Sequence, residues 1–391
     1  MKIIQVIDQF DPKMGGVYSS VSSFSDAFYC YTDIDVGLMS RKGVVNLGGG
    51  LNQIDFKKEP KIKLQRILNF SQKVGLSEAY SFENRANTVL HVHGLWSLFN
   101  HKMVVQSVDY GIPTCIQLHG MLLPAALKFK KNKKLLALAL YQKKDLANAS
   151  LIVATSEIEM ISYRELGFKN PVAIIPNGIS FENIDSVAST VKNSQKITTS
   201  KDRVAIFLGR IHPIKGIEKL ILAWHMTMPI GWTLLIAGSG DQEYYKKLEK
   251  LVFDLNLTSV VTFLGLVENE EKSQLLKLAD LLILPSLSEN FGMVVVEALA
   301  ARIPVIATKG TPWSDLESYH CGWWVEQEAS DIASAITEAT SLLPNALQNM
   351  GDNGYALVRD KYSMKNVVLM YVSAYNWILG LGDRPDFIIE N

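Results

Sequence analysis

Short runs of apolar residues alternate with stretches of helical spacing along most of the chain. The apolar runs are continuous, as in AIFLG, LLIAG and LLILP, and polar residues do not alternate within them. Continuous apolar runs are typical of parallel strands, because helices cover both faces of a parallel sheet. The pattern therefore predicts an α/β protein with doubly wound parallel sheets.

The runs fall into two groups. The strands expected in the first group are Lys2–Ile7, Asp35–Met39, Val89–Val92, Thr114–Leu118, Leu151–Ala154 and Val172–Ile175. Those expected in the second group are Val204–Leu208, Thr233–Ala237, Val260–Leu264, Leu281–Leu284 and Pro304–Ala307. A stretch rich in Ser, Thr, Lys and Asn separates the groups. We predict a Rossmann-like domain over residues 1–183, a linker over 184–201, a second Rossmann-like domain over 202–365 and a final helical segment over 366–391.

Composition and charge exclude several classes of protein. Of the 391 residues, 48% are hydrophobic and 20% are charged, which argues against intrinsic disorder. The 39 basic residues equal the 39 acidic ones, so the basic excess of a general nucleic-acid binder is missing, and no nucleic-acid partner is expected. Three cysteines without CxxC spacing favour a reduced, cytoplasmic protein. Neither a signal peptide nor a transmembrane segment is expected.

The first turn between a strand and a helix contains Gly15 and Gly16. Paired glycines let a backbone approach a ligand closely, and a helix N-terminus favours an anion. The spacing is not the GxGxxG of dinucleotide-binding proteins. An ordinary turn is the alternative interpretation.

Two cations follow the first strand of the second group. Arg210 and Lys215 come after the run AIFLG, which ends in Gly209. Two cations at the carboxyl end of a strand can hold a diphosphate and stabilise it as a leaving group. Two solvated charges ahead of a helix are the alternative.

The segment from Ser288 to Ala300 contains two glutamates on either side of a glycine, at Glu289, Gly292 and Glu297. In a continuous helix the two Cα atoms would lie about 12 Å apart. That exceeds the separation of about 5–10 Å between the paired carboxylates of a glycosidase. We therefore expect two separate hydrogen-bond acceptors along one extended ligand, a sugar hydroxyl at Glu289 and a ribose diol at Glu297. Ordinary helical acids are the alternative.

Together with Gln117-Leu118-His119-Gly120 and Pro176-Asn177-Gly178, these motifs give the chain a family resemblance. It resembles the retaining sugar-nucleotide glycosyltransferases of the GT-B architecture, of the large group-1 or family-four type, in a bacterial glycan-biosynthesis subgroup. The resemblance implies two Rossmann-like domains that face each other across a cleft. It also implies that the last helix returns to the N-terminal, acceptor-side domain.

The resemblance also implies a role for each matching residue. The donor would contact Gly15, Gly16, Arg210, Lys215, Glu289, Phe291, Gly292, Met293 and Glu297. His119 would lie beside the anomeric centre, and the catalytic set would be His119, Arg210, Lys215 and Glu289. No metal and no cofactor beyond the nucleotide-diphosphate sugar are implied.

Three features depart from the family pattern or lie outside it. The segment from Lys309 to Trp313 replaces a glycine pair that the family often has. Asp33-Ile34-Asp35 matches the DxD motif of another transferase fold, but we interpret it as surface charge. His91 and His93 lie on one face of a strand without an obvious third metal ligand, so His93 and Trp96 are expected to line the acceptor side.

The expected function is transfer of a hexosyl group from a nucleotide-diphosphate sugar to a glycan or lipid-linked saccharide, with retention of configuration. The resemblance places it in surface polysaccharide biosynthesis, for example that of lipopolysaccharide. A sugar-nucleotide epimerase of the same architecture and a non-enzymatic bilobal carbohydrate-binding protein remain as alternatives.

A lysine-rich segment suggests a further partner. The segment Lys128–Lys144 contains seven lysines and no acidic residue. Such a segment is attracted to anionic lipid, which predicts peripheral association with the inner face of the cytoplasmic membrane. The alternative is a solvated helix start followed by a core helix.

Overall fold

The computed structural model describes residues 1–11, 16–42, 52–53, 87–181, 203–267 and 269–390. They form two compact units. Unit 1 comprises Met1–Asn177 together with Met364–Asn391, and unit 2 comprises Gly178–Ser363. Gly15 and the predicted linker over 184–201 lie outside the described residues.

The strands are numbered in chain order. They are β1 (Lys2–Gln9), β2 (Asp35–Lys42), β3 (Asn52–Gln53), β4 (Thr88–His93), β5 (Thr114–Gln117), β6 (Leu151–Ala154), β7 (Val172–Ile174), β8 (Arg203–Leu208), β9 (Trp232–Ala237), β10 (Val261–Gly265), β11 (Leu281–Leu284), β12 (Val305–Thr308), β13 (Gly322–Val325) and β14 (Ile388–Ile389).

The helices are also numbered in chain order. In unit 1 they are α1 (Gly16–Tyr31), α2 (Leu98–Asp109), α3 (Pro124–Lys128), α4 (Lys131–Ala137), a π-helical turn (Leu138–Gln142), α5 (Lys143–Asn148) and α6 (Glu157–Glu165). Unit 2 has a 3-10 turn (Pro213–Lys215), α7 (Ile217–Thr227), α8 (Gln242–Asp254), α9 (Asn269–Leu278), α10 (Met293–Ala300), α11 (Asp315–Ser318), α12 (Ala329–Ser341), α13 (Pro344–Leu357) and a π-helical turn (Val358–Tyr362). The last helix, α14 (Met364–Ile378), belongs to unit 1.

Unit 1 is built on a sheet with the order β14-β7-β6-β5-β4-β1-β2-β3 within the described residues. All neighbours are parallel except β14, which is antiparallel to β7. Helices α1 and α14 pack on one face, where Phe24, Phe28, Tyr371 and Tyr375 are buried. The crossovers between parallel strands bring the carboxyl ends of β1, β4 and β5 to one edge of the sheet.

Unit 2 is built on a parallel sheet with the order β10-β9-β8-β11-β12-β13. The four inner strands, β9, β8, β11 and β12, are buried almost throughout, and their apolar side chains form one core with α7, α10 and α12. This arrangement and that of unit 1 confirm the predicted α/β class with two Rossmann-like parallel sheets.

Each strand predicted from an apolar run is present, within two residues at either end for most of them. The pattern missed three strands, β3, β13 and β14. Each lies near or at an edge of its sheet, and β13 (GWWV) is only half-buried, so it lacks the fully apolar signature. Among the described helices, none is both long enough and apolar enough to cross a membrane.

Candidate active site

Unit 1 brings two of the predicted histidines together. His93 ends β4, and His119 follows β5, the parallel neighbour of β4. Because parallel neighbours end at one edge of the sheet, the two imidazoles meet: His93 Nδ1 lies 3.2 Å from His119 Nε2. On its other side, His93 Nε2 lies 3.1 Å from Gln5 Oε1, a side chain of β1.

A third histidine extends this cluster to the last helix. The rings of His91 and His93 stack with their centroids 4.2 Å apart. His91 Nδ1 lies 2.6 Å from the hydroxyl of Tyr375, on α14. We call His91, His93 and His119 the histidine cluster. Within the described part of the chain, no group of three or more His, Cys, Asp or Glu side chains could hold a metal ion.

The histidine cluster is neutral at pH 7. Burial, helped by the nearby His119, lowers the pKa of His91 to about 3. Burial lowers the pKa of His119 to about 4. The pKa of His93 lies well below its usual value, because of burial first and then the two neighbouring imidazoles. Each ring therefore carries a single proton, as expected where desolvation disfavours the charged form.

The loop that carries His119 has an unusual backbone. His119 has φ +52° and Gly120 has φ +71°, two left-handed residues in succession. This conformation is costly for a residue with a Cβ atom and needs support from its surroundings. The support is the fully buried carboxylate of Glu159, on α6. It accepts hydrogen bonds from Gly120 N, from Thr155 N (2.7 Å) and from the Thr155 hydroxyl (3.1 Å).

Trp96 lies beside the lysine-rich helices. Its backbone N–H donates to Gln142 Oε1 (2.8 Å), and its carbonyl accepts from the Tyr141 hydroxyl (2.9 Å). The ammonium of Lys134 lies 5.5 Å from the centroid of its ring. Gly16 is the first residue of α1, and the structure describes no atom within 4 Å of a Cβ placed on it.

In unit 2, Lys215 and Glu289 form an ion pair. The sequence predicted that the two side chains contact different parts of one ligand, and the structure brings them into direct contact. Ser286 Oγ donates to the same carboxylate oxygen, at 3.0 Å. Both charged side chains are less than one-fifth exposed. The loops hold this arrangement, because Leu287 N bonds to Ile214 O (2.8 Å) and Glu289 N bonds to Gly310 O (2.8 Å).

Gly216 explains why these loops can approach so closely. It has φ +67°, and a Cβ there would overlap with the carbonyl of Pro285, at the end of β11. Glycine removes both obstacles. The turn after β8 can therefore lie against the turn after β11, which puts Lys215 beside Glu289.

Arg210 lies on the same turn but has no ion-pair partner among the described residues. His212, which caps the following turn by accepting from Ile214 N (3.2 Å), has a lowered pKa. Burial contributes most to this, followed by the positive charges of Arg210 and Lys215. The influence of both cations on one imidazole indicates a local concentration of positive charge on the turn.

Glu297 has a different partner, one that the sequence did not suggest. The ammonium of Lys272, on α9, lies 2.7 Å from its Oε1 and 2.6 Å from its Oε2. Glu289 and Glu297 thus form two separate ion pairs, each with its own lysine. The exposed fractions of the Lys272 and Glu297 side chains are 34% and 23%.

The turn between the two glutamates begins α10. Gly292 is the N-cap, with φ +84°, and Met293 is the first helical residue. The carbonyl of Phe291 accepts from Trp313 Nε1 at 2.6 Å, and the Trp313 side chain is completely buried. The first N–H groups of such a helix have no intrahelical acceptors, so they are available to an anion or a hydroxyl.

Among the residues that contact the predicted site residues, the sequence did not single out Gln5, Glu159, Lys272 and Ser286. Gln5 is a polar residue inside an apolar strand, a signal that could have been noticed. Glu159 stands three residues after Ser156, the spacing of a helix capping box. That spacing suggests a local capping role for Glu159 and gives no indication of its contact with Gly120.

Two family models match the chain. Residues 190–357 match "Glycosyl transferases group 1". Residues 62–183 match "Glycosyltransferase Family 4".

Among related proteins, an uncharacterized glycosyltransferase of Methanocaldococcus jannaschii is 31% identical over 214 residues, or 53% of this chain and 54% of that protein. The chain thus spans about half the length of that relative. A GDP-mannose:cellobiosyl-diphosphopolyprenol alpha-mannosyltransferase of Xanthomonas oryzae is 24% identical over 387 residues, or 97% of this chain and 98% of that protein.

Solved structures share the fold. A sucrose-phosphate synthase of Thermosynechococcus elongatus has a TM-score of 0.73 at 21% identity and covers 98% of this chain and 100% of its own. HepE of Anabaena in complex with UDP and glucose has a TM-score of 0.71 at 20% identity, over 96% of this chain and 100% of its own. The two family models identify a family 4 glycosyltransferase domain ahead of a group 1 glycosyltransferase domain in this chain, and the solved structures show that it shares the GT-B type of fold.

Proposed function

We propose that the protein transfers a hexosyl group from a nucleotide-diphosphate sugar to a glycan or lipid-linked saccharide, with retention of configuration, in the biosynthesis of a surface polysaccharide such as lipopolysaccharide. Unit 2 binds the donor, and unit 1 binds the acceptor and supplies His119. The observation that carries the proposal is the cluster of Lys215, Glu289 and Ser286 beside Arg210, built on turns at the carboxyl ends of β8 and β11.

The charges of the cluster suit a sugar diphosphate. Arg210 and Lys215 neutralise the diphosphate as it departs, which is electrostatic stabilisation of a leaving group. Glu289 accepts from a hexose hydroxyl, and its ion pair with Lys215 keeps it oriented. Glu297 accepts from the ribose diol, while the backbone of Phe291, Gly292 and Met293 contacts sugar or phosphate.

Retention is what the resemblance to the retaining GT-B transferases implies, and the residues proposed for the reaction are compatible with it. The set contains no carboxylate assigned to attack the anomeric carbon and no general base assigned to the acceptor. The departing diphosphate then takes the proton of the acceptor hydroxyl, on the face that it leaves. The enzyme contributes positioning and charge stabilisation.

A donor-binding experiment tests this assignment. E289Q should lower kcat/KM for the nucleotide sugar about 100-fold, because the carboxylate that orients both Lys215 and the hexose is lost. E338Q, on the exposed side of α12, is the matched control and should leave kcat/KM unchanged. If no nucleotide or nucleotide sugar from a broad panel raises the Tm, the assignment of unit 2 as a donor site is wrong.

The stereochemical proposal has a separate test. An NMR time course should show a product with the same anomeric configuration as the donor. Inversion would refute the proposed mechanism. Conversion of donor in the absence of any acceptor would point to an epimerase instead.

The exposed lysines and apolar side chains of unit 1 support the proposal of a lipid-linked acceptor. The Xanthomonas relative is named for a diphosphopolyprenol acceptor. In this chain, Lys128, Lys130, Lys131 and Lys133 are exposed. Between and beyond them the large apolar side chains of Phe129, Leu135, Leu136 and Leu140 are 67%, 52%, 60% and 66% exposed. We call this surface the basic apolar patch.

The basic apolar patch suits an anionic bilayer. Its lysines attract acidic headgroups at about 1 kcal/mol each near the surface, and its apolar side chains can enter the acyl boundary. We propose that it holds the enzyme at the inner face of the cytoplasmic membrane. Sedimentation with vesicles should increase with the fraction of anionic lipid, and K130E/K131E should abolish the increase. K246E/K250E, with an equal charge change on α8, is the control. Binding that ignores the anionic fraction would refute membrane docking.

A further inference from the structure

His119 stands at the end of a line of hydrogen bonds that begins at a main-chain carbonyl. Ser25 Oγ donates to the carbonyl of Val21 at 2.8 Å. Gln5 Nε2 donates to Ser25 Oγ at 2.6 Å. Gln5 Oε1 lies 3.1 Å from His93 Nε2, and His93 Nδ1 lies 3.2 Å from His119 Nε2.

The chemistry of these groups gives the line a single direction. A carbonyl only accepts, so the one hydroxyl proton of Ser25 is used on Val21, and Ser25 Oγ accepts from the Gln5 amide nitrogen. The amide oxygen of Gln5 then faces His93, and only a protonated Nε2 can donate to it.

The same logic continues through the imidazoles. A neutral ring carries one proton, so His93 with a proton on Nε2 presents a bare Nδ1. His119 must then donate from its own Nε2, which leaves its Nδ1 without a proton. No described residue bonds that Nδ1, and His119 is a partly exposed residue.

Burial keeps the line in this arrangement. Gln5, Ser25 and His93 are 0%, 1% and 2% exposed, so solvent cannot offer their side chains other partners. The lowered pKa values of His93 and His119 keep both rings neutral at pH 7. The tautomer of His119 is thus fixed from β1 and α1.

We propose that Gln5 and His93 are positioning residues that hold His119 as its Nε2–H tautomer, so that His119 Nδ1 meets the substrate solely as a hydrogen-bond acceptor. The group it receives is a hydroxyl of the bound sugar. This step rests on the proposed function, because it needs a sugar beside His119. It makes His119 a positioning contact for a hydroxyl and not a proton donor to the leaving group.

NMR of the imidazole nitrogens tests the tautomer directly. In the full-length protein labelled with ¹⁵N-histidine, the signals of His119 are identified by their loss in H119Q. At pH 7 we expect a protonated Nε2 and an unprotonated Nδ1 in wild type. A protonated Nδ1 would overturn the proposal, because the line would then run in the opposite direction.

Q5M provides the causal test. It removes the acceptor for His93 Nε2, so the ratio of the His119 tautomers should shift by about fivefold toward the Nδ1–H form. Q142M is the matched control, since it removes another buried amide of unit 1, one that accepts from Trp96 N instead of from a histidine. The control should leave the nitrogen signals unchanged. Unchanged signals in Q5M would overturn the role of Gln5.

Kinetics separate this inference from the proposed function. If His119 accepts from the sugar, Q5M should lower kcat by severalfold and leave the KM of the acceptor unchanged. If the tautomer is as expected but H119Q turns over the donor like wild type, the hydrogen-bond line is right and the contact with sugar is wrong. A structural role alone would lower Tm in Q5M without moving the tautomer ratio, and that result too would refute the proposal.

Discussion

The polar groups of the two units are held by opposite means. In unit 1, His93, Gln5 and Glu159 are buried, and hydrogen bonds inside the protein orient them. In unit 2, Lys272 and Glu297 balance each other in a partly exposed ion pair. Unit 1 therefore fixes the neutral side chain of His119 in one orientation. In unit 2, by contrast, a ligand can take the place of Lys272 as the partner of Glu297.

The largest effect should come from the buried carboxylate of unit 1. E159Q replaces an acceptor by an amide and leaves buried N–H groups of Gly120 or Thr155 without a partner. We expect a loss of about 3 kcal/mol in the free energy of unfolding. Hydrogen exchange should accelerate in unit 1 and stay unchanged in unit 2. E165Q, exposed on the same helix, is the control, and an equal loss there would contradict the comparison.

Unit 2 also contains buried hydrogen bonds, and the loss of the one that Trp313 donates should rank second. W313F removes the bond from Trp313 Nε1 to the buried carbonyl of Phe291. The expected loss is about 2 kcal/mol, with a weaker apparent affinity for nucleotide sugar because the turn at Gly292 loses its anchor. W324F removes a similar bond at a half-buried position, to Thr311 O at 3.0 Å, and should cost less in chemical denaturation. Equal losses would mean that burial is not what matters.

The third effect in size should be a loss of stability in acid that comes from the buried histidine of unit 1. The pKa of His91 is about 3 in the folded protein because burial disfavours the charged ring. Its folded pKa lies below the unfolded value of about 6.5, so its contribution is complete above pH 6.5 and is lost as pH falls. Between pH 6 and 5 the loss is about 1 kcal/mol for this residue. H91F should flatten the pH dependence of unfolding by that amount, whereas H225Q, at an exposed position of unit 2, should not. An unchanged slope in H91F would show that the ring is charged in the folded state.

The smallest effect should come from the ion pair at Glu297. K272A removes its lysine, but both side chains reach solvent, so the free energy of unfolding should change by less than about 1 kcal/mol. Chemical denaturation measures it, and raising the salt concentration should shrink the difference further. A loss as large as that of E159Q would erase the contrast between the two units.

The apolar pattern predicted most strands of the two sheets, because parallel strands are buried on both faces and each therefore appears in the sequence as a continuous apolar run. It failed at β13 and β14, which lie at sheet edges. Within the site, the sequence pointed to Lys215 and Glu289 but could not pair them, since their contact depends on how closely the turn at Gly216 approaches Pro285. It could not identify Gln5 for a related reason, because its partner His93 is 88 positions away.

Unit 1 is built from two separate segments of the chain, and this affects the order in which the chain can fold. Residues 1–177 leave the ribosome before unit 2, but α14 and β14, which complete the core and sheet edge of unit 1, follow it. Until they emerge, His91 lacks the hydroxyl of Tyr375, and the apolar side chains of α1 and the sheet that pack against α14 remain without that cover. Unit 2 is continuous in sequence and can close first. The unit whose synthesis begins first is thus the last to be finished, and the newly made chain must shield an open apolar surface in the meantime.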